Sequence, residues 1–275
     1  MRLGISSYTY TWAIGVPGYP PASPMGAIGL LHRAAALDVG LVQFADNLPL
    51  DRLSRTELDR FQQAASELGV SIEVGTRGVA PDHLRVYLAL AGRFRSPIVR
   101  VVVDTADHRP SEAEIVAALR AVVPEYERAG VCLAIENHDR FKARALTRLL
   151  EQIDSSSVGI CLDTVNSFGA LEGPEAVLAE LGPWVVNLHV KDFAIARPDH
   201  KMGFTVEGRP AGQGRLDVPW LLGILRGLGR DPNAILELWT PPQEDLAATI
   251  ALEEDWAAAS VEYLRGWIPG ERALV

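Results

Sequence analysis

The chain has 275 residues, 48% of them hydrophobic, and 35 acidic against 26 basic side chains give it a formal charge of -9. That length and apolar content can bury a large core, whereas the acidic balance is a poor match for nucleic acid, whose phosphates call for clustered Lys and Arg. No apolar run reaches the roughly 18 residues of a membrane span, and the N-terminus lacks the charged-then-apolar pattern of a secretion signal. A cytoplasmic protein that handles a small molecule, with no nucleic-acid and no membrane partner, is expected.

Strand-like and helix-like runs alternate along the chain, with strands beginning near Arg2, Gly40, Val70, Pro97, Val131, Ser157, Trp184 and Ala234. The segments between them carry helix punctuation. Ser54-Arg55-Thr56-Glu57 and Ser111-Glu112-Ala113-Glu114 are capping boxes, each followed by apolar residues at helical spacing. Pro81, Pro174 and Pro219 sit where first helical turns begin. Eight strand–helix units predict an α/β protein with an eight-stranded (β/α) TIM barrel as a single domain over residues 1–275. The competing doubly wound sheet lacks its glycine fingerprint, because Gly4-Ile5-Ser6-Ser7-Tyr8 stands after the first strand. Gln243 to Trp267 reads as the last helix. Cys132 and Cys161 fall inside predicted strands, so buried free thiols are expected.

Two connections exceed the usual length of about 2–6 residues. One runs from Tyr8 to about Pro24 with Tyr10, Trp12 and Tyr19, the other from Phe193 to about Asp217 with Arg197, His200, Lys201 and Arg209. Both follow strands and so emerge at the catalytic face of a barrel, where they are expected to wall or cover a site.

Four consecutive strands each end in a side chain able to bind a metal: Glu136, Asp163, His189 and Glu237. Alternation along a strand puts Glu136 with Cys132 and Ala134, Asp163 with Cys161, His189 with Val185 and Asn187, and Glu237 with Ile235. If these faces point inward, the four converge at the barrel mouth. Three carboxylates packed together repel strongly, and a divalent cation relieves that repulsion. One imidazole with three carboxylates suits Mn, Mg, Co or Zn, one ion per chain. Arg100 reads as a barrel-interior partner of a neighbour such as Glu73, and Asn187 as a hydrogen-bonder in a barrel layer.

Glu136-Asn137-His138, Leu162-Asp163-Thr164, Leu188-His189-Val190-Lys191-Asp192 with the later Gly212-Gln213-Gly214, and Leu236-Glu237 together resemble the xylose isomerase-like barrel superfamily. The resemblance spans the chain in motif order. It implies one divalent metal held by Glu136, Asp163, His189 and Glu237, with Glu136 and Glu237 also serving as catalytic acid and base on opposite faces of a substrate. Where epimerases and endonucleases of this group carry Asp-x-x-His, this chain has Asp163-Thr164-Val165-Asn166. That change argues against a trinuclear zinc site and puts Asn166 beside the substrate.

The implied chemistry is that of a divalent-metal-dependent enzyme acting on a small keto-sugar or sugar acid through a metal-stabilised enediolate. A sugar isomerase or epimerase is the leading expectation. A lyase of the same fold is the alternative, either a 3-oxo sugar-acid decarboxylase such as a 3-oxo-isoapionate decarboxylase or an inosose-type dehydratase, and an apurinic endonuclease ranks below both. Lys191, Arg197, His138, Asn166, Trp239 and Trp12 are the expected substrate contacts, with Arg77, Arg140 and Arg209 adding to a cationic and aromatic pocket. Assembly into a homo-oligomer is left open.

Overall fold

A computed structural model describes residues 1–268. Eight parallel strands close into a barrel, namely β1 (Leu3–Ser6), β2 (Leu41–Phe44), β3 (Ser71–Arg77), β4 (Ile98–Val102), β5 (Cys132–Glu136), β6 (Val158–Asp163), β7 (Val185–Val190) and β10 (Asn233–Leu236). Two further strands, β8 (Asp192–Ala196) and β9 (Thr205–Arg209), form an antiparallel hairpin outside it. The helices are α1 (Thr11–Ile14), α2 (Ala27–Ala36), α3 (Arg55–Glu67), α4 (Pro81–Phe94), α5 (Glu112–Ala129), α6 (Ala143–Ile153), α7 (Pro174–Leu181), α8 (Val218–Gly227) and α9 (Leu246–Arg265). Among the described residues no helix is long and apolar enough to cross a membrane.

The outward faces of the strands are aliphatic. Val42, Phe44, Val74, Val99, Val101, Leu133, Ile135, Ile160, Leu162, Leu188 and Leu236 form one continuous core with the inner faces of the helices, as a parallel sheet covered on its outside requires. The punctuation read from the sequence is used as expected. Ser54 and Ser111 cap α3 and α5 in reciprocal boxes with Glu57 and Glu114, and Pro81, Pro174 and Pro219 stand in first turns.

The inward faces are polar. Gln43, Glu73, Arg100, Glu136, Asp163, Asn187, His189 and Glu237 are all at most 2% exposed. Gly75 on β3 makes room for one of them, since a Cβ there would meet the Arg100 side chain at 3.2 Å. The pairing of β6 with β7 is irregular at Ile160/Cys161, and this corrects the expected alternation. A bulge adds a residue to one strand and turns the following side chains over. Val186, not Val185, therefore packs with Ile98, Ala134 and Cys161, while Val185 joins the outer core. The inward direction resumes at Asn187 and carries through to His189.

The connection after β7 is regular, unlike the expected long loop. Its Pro and Gly residues masked two strands that pair from Asp192↔Arg209 to Ala196↔Thr205. Asp192 anchors the hairpin: its buried carboxylate accepts the backbone N–H groups of Phe193 (2.7 Å), Gly212, Gly214 and Leu216 (2.9 Å each). Gly212-Gln213-Gly214 is shaped for that grip. Gly212 has φ +83°, and a Cβ at Gly214 would stand 2.1 Å from Asp192 Oδ1.

Candidate active site

Barrel closure brings the ends of β5, β6, β7 and β10 to one centre. His189 Nδ1 lies 3.3 Å from Glu136 Oε2, 3.4 Å from Glu237 Oε1 and 3.8 Å from Asp163 Oδ2. All four side chains are buried. The other ring nitrogen, His189 Nε2, is 2.7 Å from Gln43 Oε1. An amide oxygen accepts only, so Nε2 carries the proton and the Nδ1 lone pair faces the carboxylates.

Each carboxylate is aimed by its own partners. Asp163 Oδ1 accepts the N–H groups of Val165 and Asn166 at 2.8 Å, which turns Oδ2 to the centre. Glu237 Oε1 accepts the Ser6 hydroxyl at 2.9 Å. Glu136 Oε1 accepts Asn166 Nδ2 at 2.8 Å, and its Oε2 is paired with Arg100 Nε. Arg100 thus pairs with Glu136 and, at 2.9 Å, with Asp46, which corrects the expected Glu73 partnership. The reason is depth, since Glu73 lies lower in the barrel among amides, accepting Asn233 Nδ2, Gln43 Nε2 and Asn187 Nδ2. Asn187 is the layer hydrogen-bonder expected of it.

The charges respond to this packing. Burial works to raise the Glu237 carboxyl, and the neighbouring cations Lys191 and Arg100 pull it down. Burial also opposes ionisation of Asp46, and Arg100 and Arg77 bring it to about 2. Lys191 Nζ sits 2.8 Å from both Asp163 Oδ2 and Glu237 Oε2. Burial disfavours its charge, yet Asp163, Glu237 and Glu136 prevail and raise its pKa.

At the centre His189 Nδ1 makes no hydrogen bond, while Asp163 Oδ2 and Glu237 Oε2 are both met by the Lys191 ammonium at 2.8 Å. The His189, Asp163 and Glu237 groups lie within 4.8 Å of one another. Leaving a buried imidazole nitrogen without a partner is costly, and a divalent cation would answer it while sharing the carboxylate oxygens with Lys191. An imidazole lone pair with carboxylate oxygens is a divalent-metal donor set, so the residues present fit such an ion.

Above the centre opens a cavity of about 690 Å³ lined by Tyr8, Trp12, Asn166, Phe168, Val206, Trp239 and neighbours. Asn166, Lys191, Trp12 and Trp239 all line this cavity. Trp12 Nε1 donates to Thr240 O and Trp239 Nε1 to Asp192 O, which fixes both indoles as walls. The expected cationic rim is absent from this wall. Lys191 is the one cation among the described residues that line the cavity. Arg77 is paired with Asp46, Arg140 with Asp104 and Arg209 with Glu207. Arg197 is exposed at the hairpin tip over the Phe204 ring, and His138 pairs with Asp139. Sequence reasoning passed over Ser6, Gln43 and Asp46. Asp46, two residues beyond the end of β2, carried the same strand-end signal as Glu136, Asp163, His189 and Glu237.

Residues 31–267 match the family model described as xylose isomerase-like TIM barrel. The chain belongs to this family. One relative, the 3-oxo-isoapionate decarboxylase of Pectobacterium atrosepticum, is 37% identical over 266 residues, 96% of this chain and 95% of that protein. A xylose isomerase-like TIM barrel protein from Mycobacterium smegmatis in complex with magnesium superimposes with TM-score 0.69 at 14% identity, covering 96% of this chain and 97% of that one. D-Psicose 3-epimerase with D-tagatose from Clostridium cellulolyticum H10 gives TM-score 0.69 at 14% identity over 98% of this chain and 100% of its own.

Proposed function

We propose that this protein is a divalent-metal-dependent decarboxylase of a small 3-oxo sugar acid. What favours carbon–carbon cleavage over proton abstraction is the condition of Glu136. Epimerisation needs a base on each face of the substrate, and Glu136 has one oxygen held by Asn166 and the other by Arg100, so taking a proton there would compete with its buried pairing to Arg100. The 37% identity to a decarboxylase of a 3-oxo sugar acid supports the same choice. Isomerisation or epimerisation, the leading expectation from sequence, becomes the second reading; what favours it is that both carboxylates it needs, Glu136 and Glu237, stand beside the centre, 3.3 and 3.4 Å from His189 Nδ1.

A divalent ion held by Glu136, Asp163, His189 and Glu237 would polarise the 3-oxo group and take up the charge that develops on it. The chain supplies the rest. Trp12, Phe168 and Trp239 offer flat faces to the sugar carbons, while Asn166 and Lys191 are the polar groups nearest the centre. Val165, Val206 and Leu238 make the remaining wall apolar, which suits departure of neutral CO2 better than retention of a carboxylate. As the C–C bond breaks, its electron pair moves into the adjacent carbonyl unit and leaves an enolate that must gain one proton at carbon. Lys191 carries that proton and recovers it from water through a side chain that is 13% exposed.

The test is to incubate the protein and Mn²⁺ with 3-oxo sugar acids in deuterated water. Stoichiometric CO2, one deuterium at the carbon that lost it, and none in recovered acid are expected. Lys191→Met should keep its metal while turnover falls about 10²–10⁴-fold, the usual worth of a positioned proton donor. Deuterium entering recovered substrate without CO2 would instead establish the isomerase or epimerase.

A further inference from the structure

We propose that Glu73, acting through Gln43, sets the tautomer of His189 and so keeps the Nδ1 lone pair turned toward the three carboxylates. This rests on reading that cluster as a metal site. Glu73 is 1% exposed and lies below the site, with no recorded hydrogen bond to any of the four cluster residues. Each of its recorded partners is an amide N–H: Asn233 Nδ2 at 2.7 Å on Oε1, and Gln43 Nε2 at 3.1 Å with Asn187 Nδ2 at 3.0 Å on Oε2.

The direction of these bonds is anchored from beneath. The backbone N–H of Arg2 donates to Asn233 Oδ1 at 3.1 Å, so the Asn233 amide must present its NH2 to Glu73. Gln43 Nε2 also donates to Asn187 Oδ1 at 3.0 Å, which accepts the Cys161 thiol at 3.3 Å as well. With both Gln43 N–H bonds committed to Glu73 and Asn187, its carbonyl oxygen is the only group left to meet His189 Nε2, at 2.7 Å. A flipped Gln43 would set its oxygen against a carboxylate and a carbonyl, and would put an N–H against Nε2. The ring proton would then move to Nδ1, where it blocks a cation. Partners behind a ligating histidine fix its tautomer and orientation in this way. Glu73 is accordingly a positioning residue whose charge is read out at the far ring nitrogen.

The experiment uses ¹⁵N-histidine-labelled protein saturated with Zn²⁺, with the His189 ring identified by its loss in His189→Gln. Long-range proton–nitrogen spectra of the wild type should show a neutral ring with the proton on Nε2 and the ion on Nδ1. Glu73→Gln should weaken Zn²⁺ binding about 10–100-fold, measured by calorimetry. Moving the charge one position in Gln43→Glu with Glu73→Gln should restore most of it, because the relocated carboxylate again accepts from Nε2; a role in packing alone would not be rescued so. A wild-type ring that carries its proton on Nδ1, or binds the ion through Nε2, overturns the proposal even if no variant folds. Unchanged affinity in a folded Glu73→Gln protein, or no recovery in the double variant, overturns it while leaving the metal site intact. A wild type that takes up no Zn²⁺ removes the metal reading and this proposal together.

Discussion

Arg100 and Glu136 are both at most 2% exposed, and a buried ion pair acts more as a constraint than as a source of net stability. Removing one member leaves the other charged and stranded, at a cost of about 3–5 kcal/mol, whereas removing both costs far less. Arg100→Met should therefore lower unfolding free energy by that amount in urea titrations without added metal. Arg100→Met combined with Glu136→Gln should recover a large part of it. Equal losses in the single and double variants would mean that Arg100 serves as packing and does not restrain Glu136. The same pair engages the Glu136 carboxylate that the proposed reaction turns on, so this residue-scale contact also bears on the choice between decarboxylation and epimerisation.

At the scale of elements, the walls of the cavity are held by carboxylates borrowed from elsewhere in the chain. Asp192 grips the base of the β8–β9 hairpin, and Glu253 on α9 does the same for α1. The Glu253 carboxylate is 1% exposed and accepts the N–H groups of Trp12 at 2.9 Å and Ala13 at 3.0 Å. Burial raises it from 4.5 to about 7, with a further push from Glu254, against the pull of those N–H groups. In the unfolded chain this carboxyl ionises at its ordinary value, so between the two values the folded protein binds more protons. Stability must then fall as pH climbs from about 4.5 to 7 and level off above, by up to about 3 kcal/mol. Glu253→Gln should lack this component. The difference in unfolding free energy between wild type and variant, taken at pH 5 and pH 8, is the measurement; a difference independent of pH would refute the assignment. Trp12 lies in the same element, so its fluorescence should change over the same interval.

For the whole molecule the governing fact is that Glu136, Asp163 and Glu237 meet at the end of the barrel, with Lys191 and Arg100 as the adjoining cations. A cation that binds only the folded chain stabilises all of it by mass action. At about 100-fold above its dissociation constant the gain is about 2.7 kcal/mol, which for a chain of this size means a rise in Tm of roughly 5–10 °C. Thermal unfolding in Mn²⁺ and in chelator should differ by that margin, and His189→Ala should abolish the difference. Identical curves for the wild type would reduce the cluster to a structural charge network.

The barrel was legible because its signals are local. Apolar runs, capping boxes and first-turn prolines lie within a few residues of the features they specify, and every strand of the barrel starts within a residue or two of its expected place. Glu136, Asp163, His189 and Glu237 were legible for the same reason, since strand ends and side-chain alternation need no knowledge of neighbours. Partner choice was not legible. The bulge that turns Val186 inward, the pairing of Arg100 with Glu136 and not Glu73, and the reduction of a cationic rim to Lys191 alone depend on depth and register between strands. Gln43 and Asn187, 144 positions apart, become neighbours only when β1 closes on β10 and the strand faces are wrapped into one interior. A sequence can state which way a side chain points; what it meets there is decided by the curvature and stagger of the closed barrel.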